Sequence, residues 1–178
     1  MRRICVFCGA AAGNDPRYAD AAGDLGEALA ARSIELVTGG GKVGLMGVVA
    51  DATLAAGGRV TGIIPRFLEE REVAHRRLTD LRVVESLHER KALMHELSDG
   101  FIVLPGGFGT MDELMETITW AQLGLHAKPI GIVNVGGYFD ELLAFVEAAA
   151  GAGFIPAAHR ELLIVRSSPT DLVDLLAP

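Results

Sequence analysis

GFIVLPGGFGTMDE, residues 100–113, decides how this chain folds. Its first five residues are apolar on both faces of an extended strand, which places that strand inside a sheet covered on both sides. Pro105, Gly106, Gly107 and Gly109 then break the strand, and Thr110, Asp112 and Glu113 lead into a helix. Outward from this stretch the same alternation recurs. Runs at 3–8, 34–38, 59–64, 129–134 and 162–166 read as buried strands with helical patterns between them, and LRVVE at 81–85 is a shorter, weaker candidate. The pattern predicts an α/β fold: a doubly wound parallel sheet with helices on both faces, in one domain over residues 1–178.

Ligands of such sheets bind beyond the carboxyl ends of the strands. Three strand-to-helix loops therefore stand out, at 8–16 (CGAAAGNDP), 38–47 (TGGGKVGLMG) and 104–113. Gly39, Gly41 and Gly44 spell G-x-G-x-x-G, but no acid follows at the tip of the next strand to hold a ribose, and Lys42 is not in a Walker position. Gly39, Gly40 and Gly41, with Gly106 of the later loop, are candidates for phosphate contacts; tight strand–helix packing explains the first three equally well. In the later loop Gly106, Gly107 and Gly109 let backbone approach a ligand, or take positive φ where required. Thr110 at or near an N-cap leaves free amides and a positive dipole end for an anion, although Thr110 and Glu113 also spell a capping box that needs no ligand.

The helix before it, SLHERKALMHELS at 86–98, starts on a Ser86–Glu89 capping box. Arg90 shares a stripe with Leu87, Met94 and Leu97, and a guanidinium on an apolar stripe calls for an acid or an anionic ligand. Lys91 adds a second cation.

Half of the residues are apolar, 22% are charged, and the net charge is −7. Nucleic acid and anionic membranes are poor partners for such a surface. No apolar run approaches the ~20 residues that cross a bilayer, and the N-terminus alternates like a strand rather than a secretion signal, so a cytoplasmic location is expected. Cys5 and Cys8, three apart on a strand, face opposite sides and read as structural thiols. His75, His88, His95, His126 and His159 are scattered without ligand spacing, so no metal is expected.

Taken together, PGGFGTMDE at 105–113, ERK at 89–91, ITWAQLG at 118–124 and TGGGKVGLMG at 38–47 resemble the Lonely Guy family of cytokinin riboside 5′-monophosphate phosphoribohydrolases, often labelled lysine decarboxylases. The resemblance spans nearly the whole chain. It implies a Rossmann-like sheet, a homodimer with sites near the subunit interface, and no cofactor. The implied reaction is hydrolysis of the N-glycosidic bond of an N6-modified adenosine 5′-monophosphate. By position, the family's catalytic pair falls on Arg90 and Glu113. Its substrate contacts fall on Glu72, Lys91, Gly107, Phe108, Gly109, Thr110, Met111, Asp112 and Thr119. One departure stands out: Ala10 and Ala11 occupy positions where the family commonly has two serines.

A different class of function, a molybdenum-cofactor or nucleotide carrier, would use the same glycine loops without needing an acid beside an arginine. Pyridoxal-dependent decarboxylation is disfavoured, because the only lysines, Lys42, Lys91 and Lys128, lie in no recognisable pyridoxal setting.

Overall fold

The computed structural model describes residues 1–69 and 74–177. Among these residues seven strands form one all-parallel sheet: β1 (Arg3–Phe7), β2 (Glu35–Thr38), β3 (Val60–Pro65), β4 (Asp80–Val84), β5 (Gly100–Val103), β6 (Ile130–Val133) and β7 (Leu163–Arg166). Their order is β4-β3-β2-β1-β5-β6-β7. The chain builds outward from β1 to β4, then returns to place β5 on the other side of β1. The expected α/β architecture is therefore what forms.

The helices are α1 (Pro16–Ala31), α2 (Gly44–Ala55), α3 (Arg66–Glu69), α4 (Leu87–Leu97), α5 (Phe108–Gln122), α6 (Asp140–Gly151) and α7 (Pro169–Leu176). Two cores result from the strand pleat. Ile4, Val6 and Cys8 of the first strand and its end pack with α1, α2 and α7, while Cys5 and Phe7 pack with Met94 of α4 and Leu114 of α5. The two cysteines thus point to opposite faces, and both are free and buried. The weak candidate at 81–85 proves to be the edge strand β4, whose partial exposure explains its mixed sequence. Among the described residues no helix is long and apolar enough to cross a membrane.

Helix α4 begins as expected, with the Ser86 hydroxyl accepting from the Glu89 amide at 3.1 Å. Glu89 reaches back one residue further, to the Glu85 amide at 2.9 Å. Leu87 is 47% exposed, so the stripe carrying Arg90 is apolar only from Met94 onward. Helix α5 begins earlier than an N-cap at or near Thr110 implies. Gly107 is its N-cap and Thr110 already lies inside the first turn, so no Thr110–Glu113 capping box exists. Without a side-chain cap the helix starts at the first residues whose backbone can turn, and Thr110 is buried instead.

Candidate active site

At the carboxyl edge of the sheet, where strand order reverses around β1, four loops enclose a cavity of about 690 Å³. The loop after β1 is tied to the loop after β5 by a hydrogen bond from the Gly9 amide to the Pro105 carbonyl, 3.0 Å. Gly106 sits in this junction, and a Cβ there would collide with the Thr110 hydroxyl and press on the Gly9 amide. None of Gly106, Gly107 and Gly109 has positive φ. Close approach, and not left-handed backbone, is what these glycines supply.

Helix α5 opens onto the cavity with Gly107 as N-cap and no capping side chain. The first-turn amides of a helix have no intrahelical partner, and the dipole adds partial positive charge. Nothing lies within 4 Å of where a Cβ would stand on Gly107 or Gly109. That combination suits an anion. One turn further, about 6 Å along the axis from Gly109, stands Glu113.

Thr110, Glu113, Leu114 and Thr117 form the buried stripe of α5, so the carboxylate of Glu113 lies on an apolar face with 7% of the residue exposed. Burial pushes its pKa up to about 6, and Arg90 pulls against that shift without cancelling it. The guanidinium of Arg90 is gripped by main chain: Nε donates to the Ile63 carbonyl at 3.2 Å and Nη2 to the Gly39 carbonyl at 3.3 Å. Nη1 then faces Glu113 Oε1 at 3.6 Å. Gly39 is required for this arrangement, because a Cβ there would land on the guanidinium.

The cavity wall includes Arg90, Glu113, Gly39, Gly41, Gly106, Gly107, Gly109 and Thr110 from the sequence-derived set. Gly40 (φ 75°) lies outside the wall, with its carbonyl accepting from the His75 amide at 2.8 Å. Gly44 (φ 63°) packs tightly against the Ala10–Ala11 backbone. Also outside it are Phe108 and Thr119, both exposed, and Met111, half-buried against the core. Lys91 is held between Asp112 (3.0 Å) and Glu116 (3.1 Å). Burial acts against its charge, but those two carboxylates outweigh it and raise its pKa. Glu72 lies outside the described residues.

Sequence reasoning missed the fourth loop, at 134–139, and with it Tyr138, which lines the cavity beside Tyr18. The signal was present: Gly136 and Gly137 follow a buried strand and precede a helix, the same pattern that singled out the other loops. The hydroxyl-free loop Ala10–Ala12 forms part of the cavity lip, and Val43, Leu45, Met46, Ile64 and Leu68 make much of the remaining wall apolar.

Residues 46–176 match the family described as "possible lysine decarboxylase". The chain is 51% identical over 176 residues to a probable cytokinin riboside 5′-monophosphate phosphoribohydrolase of Oryza sativa subsp. japonica, spanning 99% of this chain and 78% of that protein. It is 49% identical to a cytokinin riboside 5′-monophosphate phosphoribohydrolase of Arabidopsis thaliana, over 99% of this chain and 82% of that one. Among solved structures, the molybdenum cofactor binding protein from the phototrophic bacterium Rippkaea orientalis aligns with a TM-score of 0.73 at 22% identity, covering 98% of this chain and 95% of that chain; the likeness is one of fold.

Proposed function

The chain belongs to the Lonely Guy family of cytokinin riboside 5′-monophosphate phosphoribohydrolases, and from that premise we propose how its cavity cleaves an N6-modified adenosine 5′-monophosphate to free base and ribose 5-phosphate. One observation carries the reading: the uncapped start of α5 and the Arg90–Glu113 pair share a single cavity, one helical turn apart. The 5′-phosphate sits against the amides of Gly107 to Gly109. The ribose then lies beside Glu113.

Breaking an N-glycosidic bond passes through a sugar with oxocarbenium character, which a carboxylate stabilises directly or by activating water. Glu113, with its pKa near 6, is ionised at neutral pH yet basic enough to accept a proton. Arg90 holds that carboxylate in place while two main-chain carbonyls hold Arg90. Binding energy from the phosphate supports the geometry at the reacting carbon, so the nucleotide outpaces the nucleoside. In this acidic molecule the local field of a helix end and a guanidinium supplies the attraction that net charge does not.

A decarboxylase reading asks for a neutral lysine to form a Schiff base. Lys91 is the reverse case, an ammonium clamped between two carboxylates. The dimer belongs to the same proposal: Phe108, Asp112, Met115 and Thr119 lie exposed along α5 outside the cavity of one chain, where a second subunit would bring them to a shared site. A cytoplasmic location and the absence of a nucleic-acid partner complete it.

Incubation with isopentenyl-AMP, AMP and the corresponding ribosides, followed by chromatography of the free base, tests the assignment. Base is released from the monophosphates. Equal cleavage of ribosides overturns the phosphate role, and no release from any substrate overturns the hydrolase.

A further inference from the structure

The loop between β6 and α6 is built to a degree that surface exposure does not explain. Asn134 fixes both of its ends, accepting from the Phe139 amide at 2.8 Å and donating to Asp140 at 2.7 Å. Gly136 and Gly137 both adopt left-handed φ, 59° and 77°, which a side chain would strain. A Cβ on Gly136 would press on the Arg17 guanidinium, and one on Gly137 would press on the Asp140 carboxylate. Tyr138 emerges from this turn with its ring met edge-on by Tyr18 (5.5 Å between centroids) and Phe139 (4.9 Å). Phe139 is itself buried, so the ring is anchored from below while 42% of Tyr138 stays exposed. Its phenol donates to the Gly106 carbonyl at 2.6 Å.

That carbonyl belongs to the same peptide unit as the Gly107 amide, the first of the uncapped group at the start of α5. In a trans peptide the C=O and N–H point in opposite directions. Holding one therefore aims the other. The hydrogen bond also occupies an oxygen that would otherwise present partial negative charge beside a bound anion.

We infer that Tyr138 is a positioning residue for the phosphate end of the substrate: it orients the Gly106–Gly107 peptide so that the Gly107 amide faces the 5′-phosphate. The phenol's own proton is engaged by Gly106, so it presents lone pairs to the cavity and is not itself a ligand of an anionic oxygen. The inference rests on the proposed nucleotide reading and names a further residue for it, drawn from a loop that the family motifs do not include.

The test is Tyr138→Phe, which removes one oxygen and keeps the ring. Two quantities are read: kcat/KM for a nucleoside 5′-monophosphate against its riboside, and the affinity for ribose 5-phosphate by calorimetry. The expected result is about a tenfold loss on the monophosphate with riboside turnover unchanged, and about a tenfold weaker ribose 5-phosphate. Gly137→Ala, which displaces the turn carrying Tyr138, gives the same selective loss. An equal loss on both substrates, or an unchanged affinity for ribose 5-phosphate, overturns the inference. The two proposals fail separately: a wild-type protein that binds ribose 5-phosphate but cleaves nothing overturns the hydrolase while the calorimetric comparison still decides Tyr138.

Discussion

Gly39 separates function from stability more cleanly than either charged partner. A methyl group there meets the end of the Arg90 side chain and Met46 Cε and not backbone, and Gly39 does not require positive φ. Gly39→Ala therefore displaces the guanidinium without straining the backbone. Steady-state assays should give a fall in kcat/KM on the order of 100-fold, and the melting temperature should move by no more than about 4 °C. Glu113 carries the opposite balance. Its folded pKa, raised from 4.5 to about 6, means that ionising it costs stability: the full contribution is present below pH 4.5 and is lost as pH rises through 6. Glu113→Gln should abolish turnover yet be more stable than wild type at pH 8 by up to about 2 kcal/mol, with the gain vanishing below pH 4.5 in denaturant titrations. Arg90 was legible as a cation on a partly apolar helical stripe, and Glu113 only through the family motif that contains it. Tyr138 was not singled out, since a tyrosine after two glycines reads as ordinary turn chemistry.

Helices α4 and α5 carry one member each of the Arg90–Glu113 pair, and a second tie holds them in register. His95, 6% exposed and packed against Phe101 and Trp120, meets the Thr117 hydroxyl at 3.0 Å, and Thr117 in turn donates to the Glu113 carbonyl at 2.7 Å. Burial pushes the His95 pKa down to about 4, helped by His126, Lys128 and Lys91. A neutral imidazole in the fold that charges when unfolded gives stability present above pH 6.5 and lost as pH falls toward 4. His95→Asn keeps a hydrogen-bonding group without that proton, so its melting temperature should decline less than wild type between pH 6.5 and 4. Strand positions were readable from sequence because burial on both faces leaves continuous apolar runs. The start of α5 was misplaced because the cap is a glycine, a residue that signals loop as readily as helix entry.

At the scale of the molecule, apolar runs marked six strands and a weaker seventh, and the return of the chain to β1 determines which loops meet. The cavity needs neighbours that are 30 residues or more apart in sequence, such as Gly9 with Pro105 and Tyr138 with Gly106, and local pattern holds no record of those pairings. In the proposed homodimer, Leu123 and Leu125, 66% and 68% exposed near the end of α5, belong to the covered face. Sedimentation should return about twice the 18.8 kDa chain mass, and Leu123→Glu with Leu125→Glu should return the single chain. An unchanged mass for the double variant would place the contact elsewhere.

The grip on Arg90 comes from the carbonyls of Gly39 and Ile63, groups that every amino acid carries. Replacing the side chain at position 63 alters packing but leaves the acceptor where the strand puts it. Aim of the guanidinium is thus a property inherited from sheet geometry, and distant sequences that preserve this strand arrangement and the bare position at 39 can drift widely nearby while keeping the same cation trained on the same carboxylate.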